Sequence, residues 1–329
     1  MILSTMRWMA TPRPKADPTT WGVSTLQLQR PDTLFFDGAV RPWEDGALHV
    51  STEAVVRGLN VFEGLKGYWQ EGGELAFRSL RSHYERMNRS ARLLHIPVDF
   101  SYEDFVAACS ALSESEMTVE NDLYIRATLF VVEGHYGEGT VSDLVLTAYQ
   151  QKKDPPKAIA VGTSTWQRSP DLSLPIRIKT GANYVIARLA RIEGKRRGYE
   201  DMIVLNRSGR VSESVSACLL LVRDGVVFTP PPSEGAVESI TLRILTELGR
   251  DEGIHVEQRP IDRSELYIAD ELALTGTITE VTPILAIDDM LLPEASPVLD
   301  RLKTRYRAAV QGSAPHPAAE MTVVANTQS

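Results

Sequence analysis

IRIKTGANYVIARLARIEG, residues 176–194, changes character halfway. Its first residues alternate, Ile176 and Ile178 against Arg177 and Lys179, which predicts a short strand. Val185, Leu189 and Ile192 then recur at helical spacing, which predicts the inward stripe of an amphipathic helix. Between them, Lys179-Thr180-Gly181-Ala182-Asn183-Tyr184 reads as a bend, with Asn183 placed to cap the helix. A lysine at such a handover has two readings. It is one more solvated charge among the 35 lysines and arginines, the common fate of lysine, or it is a reactive amine fixed at the end of a strand. The rest of the chain has to decide.

Composition narrows the choice. At 329 residues the chain exceeds one ordinary core, so two domains, or one large one, are expected. Hydrophobic content of 43% and charged content of 24% describe a globular protein. A formal net charge of −8 argues against a nucleic-acid partner, because no basic excess exists to neutralise phosphates. The two cysteines, Cys109 and Cys218, lie far apart and outside any C-x-x-C pattern, which excludes a disulfide framework and fits a reducing compartment. No apolar run approaches the roughly 20 residues of a membrane span. The opening MILSTMRWMATPRPKADP lacks the apolar core of a secretory signal, so the cytoplasm is the expected location. The histidines show no metal-ligand spacing, and neither a dinucleotide nor a P-loop glycine motif occurs, so no metal site is expected.

Residues 1–30, rich in Pro, Thr and Gln, read as an N-terminal arm. Residues 31–150 read as a smaller domain. It opens with a hairpin at Asp37-Gly38 and carries a helix over 80–94, another over 102–115, and two β-rich runs. Residues 151–158, charged and carrying two prolines, read as the interdomain linker. Residues 159–311 form a larger domain with hairpins at Asn206–Gly209 and Asp224-Gly225, a helix from Ser239, and strands broken by a turn at Thr277. Residues 312–329 read as a frayed, flexible tail. Helices interleave irregularly with strands, which predicts two α+β domains rather than a repeating βαβ sheet.

One cofactor would use several of these features together. Pyridoxal phosphate needs a lysine amine for its aldehyde, an acid against its pyridine nitrogen, and donors for its phosphate. Lys179 offers the first and Glu213, in RVSES, the second. Ser239-Ile240-Thr241 opens a helix whose free amides suit an anion, and Thr277 in LTGTITE adds a hydroxyl. Each feature alone is common. An exposed lysine and a hairpin acid are the ordinary readings of Lys179 and Glu213 taken singly.

The order of these segments, together with FFDGAVRPW, NVFEGLKGYW, HYERMNRSARLL, LYIRATLF, KTGANY, RRGYEDMIVLNRSGRVSES, GVVFTPP, SITLRIL and LYIADELALTGTITEVTPI, resembles the class IV pyridoxal phosphate aminotransferases. Within them it is most similar to the branched-chain amino acid aminotransferases. The resemblance implies the α+β, two-domain fold-type IV architecture, which is like that of D-amino acid aminotransferase, with the cofactor at the domain interface and a homodimeric assembly. It implies Lys179 as the Schiff-base lysine that also carries protons, and Glu213 as the partner of the pyridinium. Tyr184 is implied as donor to the ring oxygen and Arg86 as phosphate clamp, with amides of Ile240 and Thr241 and the hydroxyl of Thr277 beside it. Phe62, Tyr124, Thr277 and Ile278 would line the substrate pocket.

Some positions depart from the family pattern. Cys218 stands where an asparagine is usual, Arg57 where relatives carry a pocket tyrosine, and Lys66 in place of an arginine. Arg57, Lys66 and Arg126 are expected on neighbouring strands. Either the three face one cavity, which would then favour carboxylate-bearing substrates, or Arg57 turns outward to pair with an acid such as Glu53. The implied activity is transfer of an amino group from an amino acid or primary amine to a 2-oxo acid, 2-oxoglutarate or pyruvate. The alternatives are a lyase of the same fold, such as an aminodeoxychorismate lyase, and a non-catalytic binding protein on this scaffold.

Overall fold

The computed structural model describes residues 30–135 and 137–326. The expected N-terminal arm, but for Arg30, lies outside the described residues. The chain opens with the hairpin β1 (Thr33–Phe36) and β2 (Ala39–Pro42), closed at Asp37 and Gly38, both with positive φ. That is the pair of left-handed residues a two-residue hairpin turn requires. A short α1 (Glu53–Val56) leads into β3 (Asn60–Trp69) and β4 (Glu74–Arg78). Next come α2 (Leu80–Leu93), α3 (Tyr102–Glu116), and the long antiparallel pair β5 (Asp122–His135) and β6 (Glu138–Gln151).

Residues 152–158 are coil and lead to the second sheet. β7 (Ile159–Gln167) runs into the lysine segment, then α4 (Tyr184–Arg197) and β8 (Asp201–Leu205). β9 (Val211–Ser214), β10 (Cys218–Arg223) and β11 (Val226–Thr229) follow, then α5 (Ile240–Asp251) and β12 (Val256–Gln258). β13 (Glu271–Gly276), β14 (Glu280–Ile287), β15 (Met290–Leu291), α6 (Pro297–Val310) and β16 (Met321–Asn326) complete the described chain.

The first sheet has the order β16-β4-β3-β5-β6-β1-β2, and the second β12-β11-β10-β13-β14-β7-β8-β9, with β15 on β14. Period-two alternation decides what each face holds. In β3, Val61 and Leu65 join the core that α2 and α3 cover, whereas Tyr68, on the opposite face, packs into a core of the second half with Ile240, Leu245 and Tyr306. In β10, Leu219 and Leu221 enter one cluster while Leu220 and Val222 enter another, so the second sheet is buried on both faces. β7 and β8 are parallel, so a crossover has to join them. That crossover carries Lys179.

Four expectations require correction. Residues 176–179 form turns rather than a strand. The Asn183 side chain donates to the carbonyls of Pro175 (3.1 Å) and Ile178 (2.9 Å), so those groups are met locally instead of by a ladder. Asn183 therefore clamps the bend and does not cap α4; it is Thr180 that caps, accepting from the Ala182 amide at the short turn before that helix. In α4 the buried residues are Ala187, Ala190 and Gly194, while Val185 and Ile192 point outward at 56% and 39% exposure. Small residues let the helix lie close on its sheet. At Gly162 of β7 a Cβ would sit 2.5 Å from the ring of Tyr199.

The fourth correction is the tail. After a short turn at Pro317–Ala319, β16 returns to the first sheet as the antiparallel neighbour of β4 and buries Val324 and Ala325. An alternating apolar run that finds an open sheet edge is ordered by backbone pairing that no local signal announces. Val324→Ala should therefore lower unfolding stability by about 1–3 kcal/mol, the range for losing buried methyls. Val323→Ala, on the 52%-exposed neighbour, should change it by less than about 0.5 kcal/mol. Equal, negligible effects in urea titrations would mean that this segment frays in solution.

Candidate active site

Lys179 is held from two sides. The Phe62 amide donates to the Lys179 carbonyl (2.8 Å), the Lys179 amide to Ser90 Oγ (3.1 Å), and the Gly181 amide to Asn60 Oδ1 (3.1 Å). β4 pairs with β3 only at Gly67–Trp69, so the earlier part of β3 offers this edge to the lysine turn. The Lys179 Nζ donates to the Tyr184 hydroxyl at 2.8 Å and lies 4.8 Å from the centre of the Phe62 ring. Phe62 and Tyr184 meet edge to face, 4.9 Å between centroids. Burial is the largest influence on the amine and pushes its pKa down, and Arg86 adds to that. Tyr184 and Glu63 outweigh both, so the net displacement is upward. The amine is thus desolvated with Arg86 nearby, but in this arrangement its phenol partner favours the ammonium form.

Beneath it lies a buried charge cluster that the sequence reading did not single out. On the core face of β3, between Val61 and Leu65, Glu63 receives a two-pronged contact from Arg86 Nε and NH2, each at 2.7 Å. His83 Nδ1 approaches the same carboxylate at 2.8 Å. Burial raises the Glu63 pKa, but Arg86 and His83 more than offset it and hold the group well below the usual carboxylate range. Because Arg86 already neutralises Glu63, burial prevails at His83 and pushes it down to about 4. The signal in the sequence was an acid on the apolar face of a strand, matched by His83 and Arg86 three apart on one face of α2. Arg86 reaches the seam as expected, although its fork is spent on Glu63. Its NH1 donates to the Glu238 carbonyl at 2.9 Å.

Residues 237–241 string the remaining groups together. The Val237 amide donates to Glu213 Oε2 (2.9 Å), its carbonyl faces the Cys218 thiol (3.8 Å), and the Glu238 carbonyl receives Arg86. Ser239 then caps α5 by accepting from the Leu242 amide at 3.2 Å. The first amides of a helix have no intrahelical acceptor, and among the described residues those of Ile240 and Thr241 have none. Glu213 is buried on β9 and ion-paired with Arg168, a second residue that sequence reasoning missed. Cys218 is buried and its thiol is pushed up to about 12, chiefly by desolvation, so it is no nucleophile. Thr277 and Ile278 are half-buried on the turn between β13 and β14, which closes at Glu280 with a positive φ.

Of the two arrangements open to the three cations, the structure shows the dispersed one. Arg57 pairs with Glu53 on α1, the outward arrangement. Lys66 is buried between Glu280 (2.5 Å) and Asp122 (3.5 Å), above the Tyr68 ring, and so belongs to the support of the Thr277 turn rather than to a pocket wall. Arg126 is exposed on the same face of the sheet as Phe62 and Tyr124, opposite Gly64. A Cβ at Gly64 would meet the Tyr124 hydroxyl at 2.8 Å, so glycine there makes room for the phenol. Like charges separate here because buried Lys66 finds two carboxylates and Arg57 finds its i−4 neighbour, while Arg126 stays exposed.

The chain matches the family Amino-transferase class IV over residues 60–287. It is 34% identical over 291 residues to a probable branched-chain-amino-acid aminotransferase of Aquifex aeolicus, covering 85% of this chain and 93% of that one. The fold superposes on a branched-chain aminotransferase of Thermoproteus uzoniensis bound to norvaline with a TM-score of 0.84 at 29% identity, covering 89% of this chain and 99% of the other. It also matches the branched-chain amino acid aminotransferase of Thermobaculum terrenum in its pyridoxal phosphate form with a TM-score of 0.82 at 30% identity, covering 90% and 99%. The chain belongs to the class IV aminotransferases. It is a pyridoxal phosphate-dependent transaminase of the fold-type IV, α+β architecture, and the lyase and binding-protein readings are not favoured.

The His83 environment predicts a pH signature. The folded pKa lies below the unfolded value near 6.5, so His83 contributes stability that is fully present above that pH and is lost as pH falls toward 4. The loss should approach about 3 kcal/mol at most. His83→Gln should flatten the stability profile between those pH values in denaturant titrations. An unchanged slope would show that protonation of His83 is not what destabilises the acid form.

Proposed function

We propose that the seam between the two sheets is the transamination site, with Lys179 as the residue that joins the cofactor and shuttles protons. The two sheets would form a smaller domain, residues 31–150, and a larger one, residues 159–311, linked by 151–158, with β16 returning to the first. The observation that carries this reading is the pinned Lys179 amine against Tyr184 and the partnered acid Glu213, with the open α5 amides on the same connecting segment. When bound, pyridoxal phosphate supplies an aldehyde for amines and an electron-withdrawing ring. Glu213, fixed in place by Arg168, would face the ring nitrogen and pair with it. Tyr184 would orient the ring oxygen, Arg86 and the amides of Ile240 and Thr241 would bind the phosphate, and Thr277 would add its hydroxyl. Lys179 Nζ would take the proton from the substrate α-carbon, for which its raised pKa has to fall when Tyr184 turns to the cofactor.

Phe62, Tyr124 and Ile278 give the pocket an apolar and aromatic lining, which suits a branched aliphatic side chain. Arg126, beside the Tyr124 phenol, is placed to meet the carboxylate of an acceptor such as 2-oxoglutarate. Arg57 and Lys66 leave the pocket, because each is paired elsewhere. A panel of branched-chain, acidic and aromatic L-amino acids and simple amines, with 2-oxoglutarate and pyruvate as acceptors, tests the reading. Leucine, isoleucine or valine with 2-oxoglutarate should be the fastest pair, and Lys179→Ala should abolish turnover and the visible cofactor band. Preference for an amine lacking a carboxylate would overturn the substrate class. Turnover in Lys179→Ala within about tenfold of the parent would overturn the site.

The protein is further proposed to act as a homodimer in the cytoplasm. Exposed Val185 and Ile192, with half-buried Leu189 between them, form a stripe at helical spacing on α4, and a second copy of the same stripe is the partner that would cover it. Both cysteines are free and buried, which suits a reducing compartment. Val185→Glu with Ile192→Glu should convert a dimeric mass to a monomeric one in light scattering. An unchanged mass would place the contact on another face.

A further inference from the structure

Arg78, at the end of β4, is among the most completely buried side chains of the protein, at 1% exposure. Guanidinium groups stay charged in proteins, and a buried charge is costly unless an anion and hydrogen bonds compensate it. The neighbouring carboxylates are already committed. Glu63 is gripped by Arg86, and Glu280 with Asp122 holds Lys66. Arg78 lies 5.6 Å from the Tyr306 ring centre, and its NH1 donates to Thr241 Oγ1 at 3.2 Å. Its Nε and NH2 have no acceptor among the described residues. A cation without a carboxylate partner therefore stands directly behind the first turn of α5.

We propose that Arg78 is the positioning residue of a phosphate cradle at the start of α5, acting through Thr241. Because Thr241 Oγ1 accepts from Arg78, its own hydrogen is directed away from that contact, toward the side where the open amides of Ile240 and Thr241 end. The unneutralised charge of Arg78 adds to the positive end of the helix at the same place. Arg86, whose charge is cancelled by Glu63, contributes orientation there more than net attraction. The inference rests on the reading that the α5 terminus receives the cofactor phosphate.

The test compares dissociation constants for pyridoxal phosphate and for pyridoxal, which lacks the phosphate, followed by cofactor absorbance on the full chain. Arg78→Met keeps the length of the side chain and removes the charge. It should weaken binding of the phosphate ester by at least about tenfold, the size of one lost charge-assisted contact, and leave pyridoxal within about twofold. Thr241→Val should weaken the ester less, and the double variant should be no weaker than Arg78→Met alone. Arg78→Lys, a folding control that retains charge, should recover part of the ester affinity.

Ile240→Pro deletes one candidate amide at the helix position where proline is best tolerated, and so reports on the cradle itself. If Ile240→Pro is selective for the ester while Arg78→Met weakens both ligands equally or neither, the role of Arg78 is structural and the inference is overturned. If neither variant discriminates ester from pyridoxal, the phosphate does not sit at α5 and both readings fall.

Discussion

β3 has a partner on one side along most of its length, but β4 covers its other edge only at Gly67–Trp69. The unpaired backbone from Asn60 to Lys66 has to be satisfied, and the lysine turn satisfies it, taking the Phe62 amide on the Lys179 carbonyl. Much follows from that contact. It brings the crossover between β7 and β8 against the first sheet, and places Tyr184 over Phe62. It also sets the lysine amine at the seam rather than on the surface of its own half. Had β4 run the full length of β3, that edge would have been closed to Lys179.

The same strand sorts charge by face. Glu63 points into the core under α2, where His83 and Arg86 compensate it; Lys66 points across the seam to Glu280. Each is buried, so breaking one partner leaves an uncompensated charge in a low-dielectric site. The Glu63 cluster ties α2 to β3, whereas Lys66–Glu280 joins residues 214 positions apart and constrains how the halves meet. The Lys66–Glu280 contact stabilises a residue with positive φ at the base of the Thr277 turn, where glycine or asparagine is the usual choice. A lysine in place of the family arginine is consistent with this duty, since a single ammonium between two carboxylates does not need a planar fork.

Glu213 follows a similar logic with a different outcome. Its carboxylate is held by Arg168 and accepts from the Val237 amide, so donors on two separate segments fix its orientation. The site thus contains two buried acids in opposite situations. Glu63 is closed in by two partners on one helix, α2, and Glu213 stands beside the segment that leads to α5.

Much of this was legible in the sequence. The hairpin turns, the helices over 80–94, 102–115 and from Ser239, and the mixed α+β class follow from local chemistry, because glycine, caps and apolar spacing act within a few residues. The segments around Lys179, Tyr184, Glu213, Ile240 and Thr277 were recognisable because several short patterns recur in one order. What stayed hidden was whatever depends on pairing across the chain. Arg57 had two stated fates, and its i−4 neighbour Glu53 took it outward. Arg168 and Arg78 carried no sign of burial, and the spacing that hints at Glu63 with His83 and Arg86 gains meaning only once β3 and α2 meet, since a charged side chain looks solvent-exposed until its partner is known. The α4 stripe was assigned to the wrong face because helical spacing shows that a face exists without saying what covers it. β16 read as a frayed tail because an edge strand is ordered by the sheet it joins. Local propensity and spacing lie in the sequence; register, edges and charge partners exist only once distant segments meet.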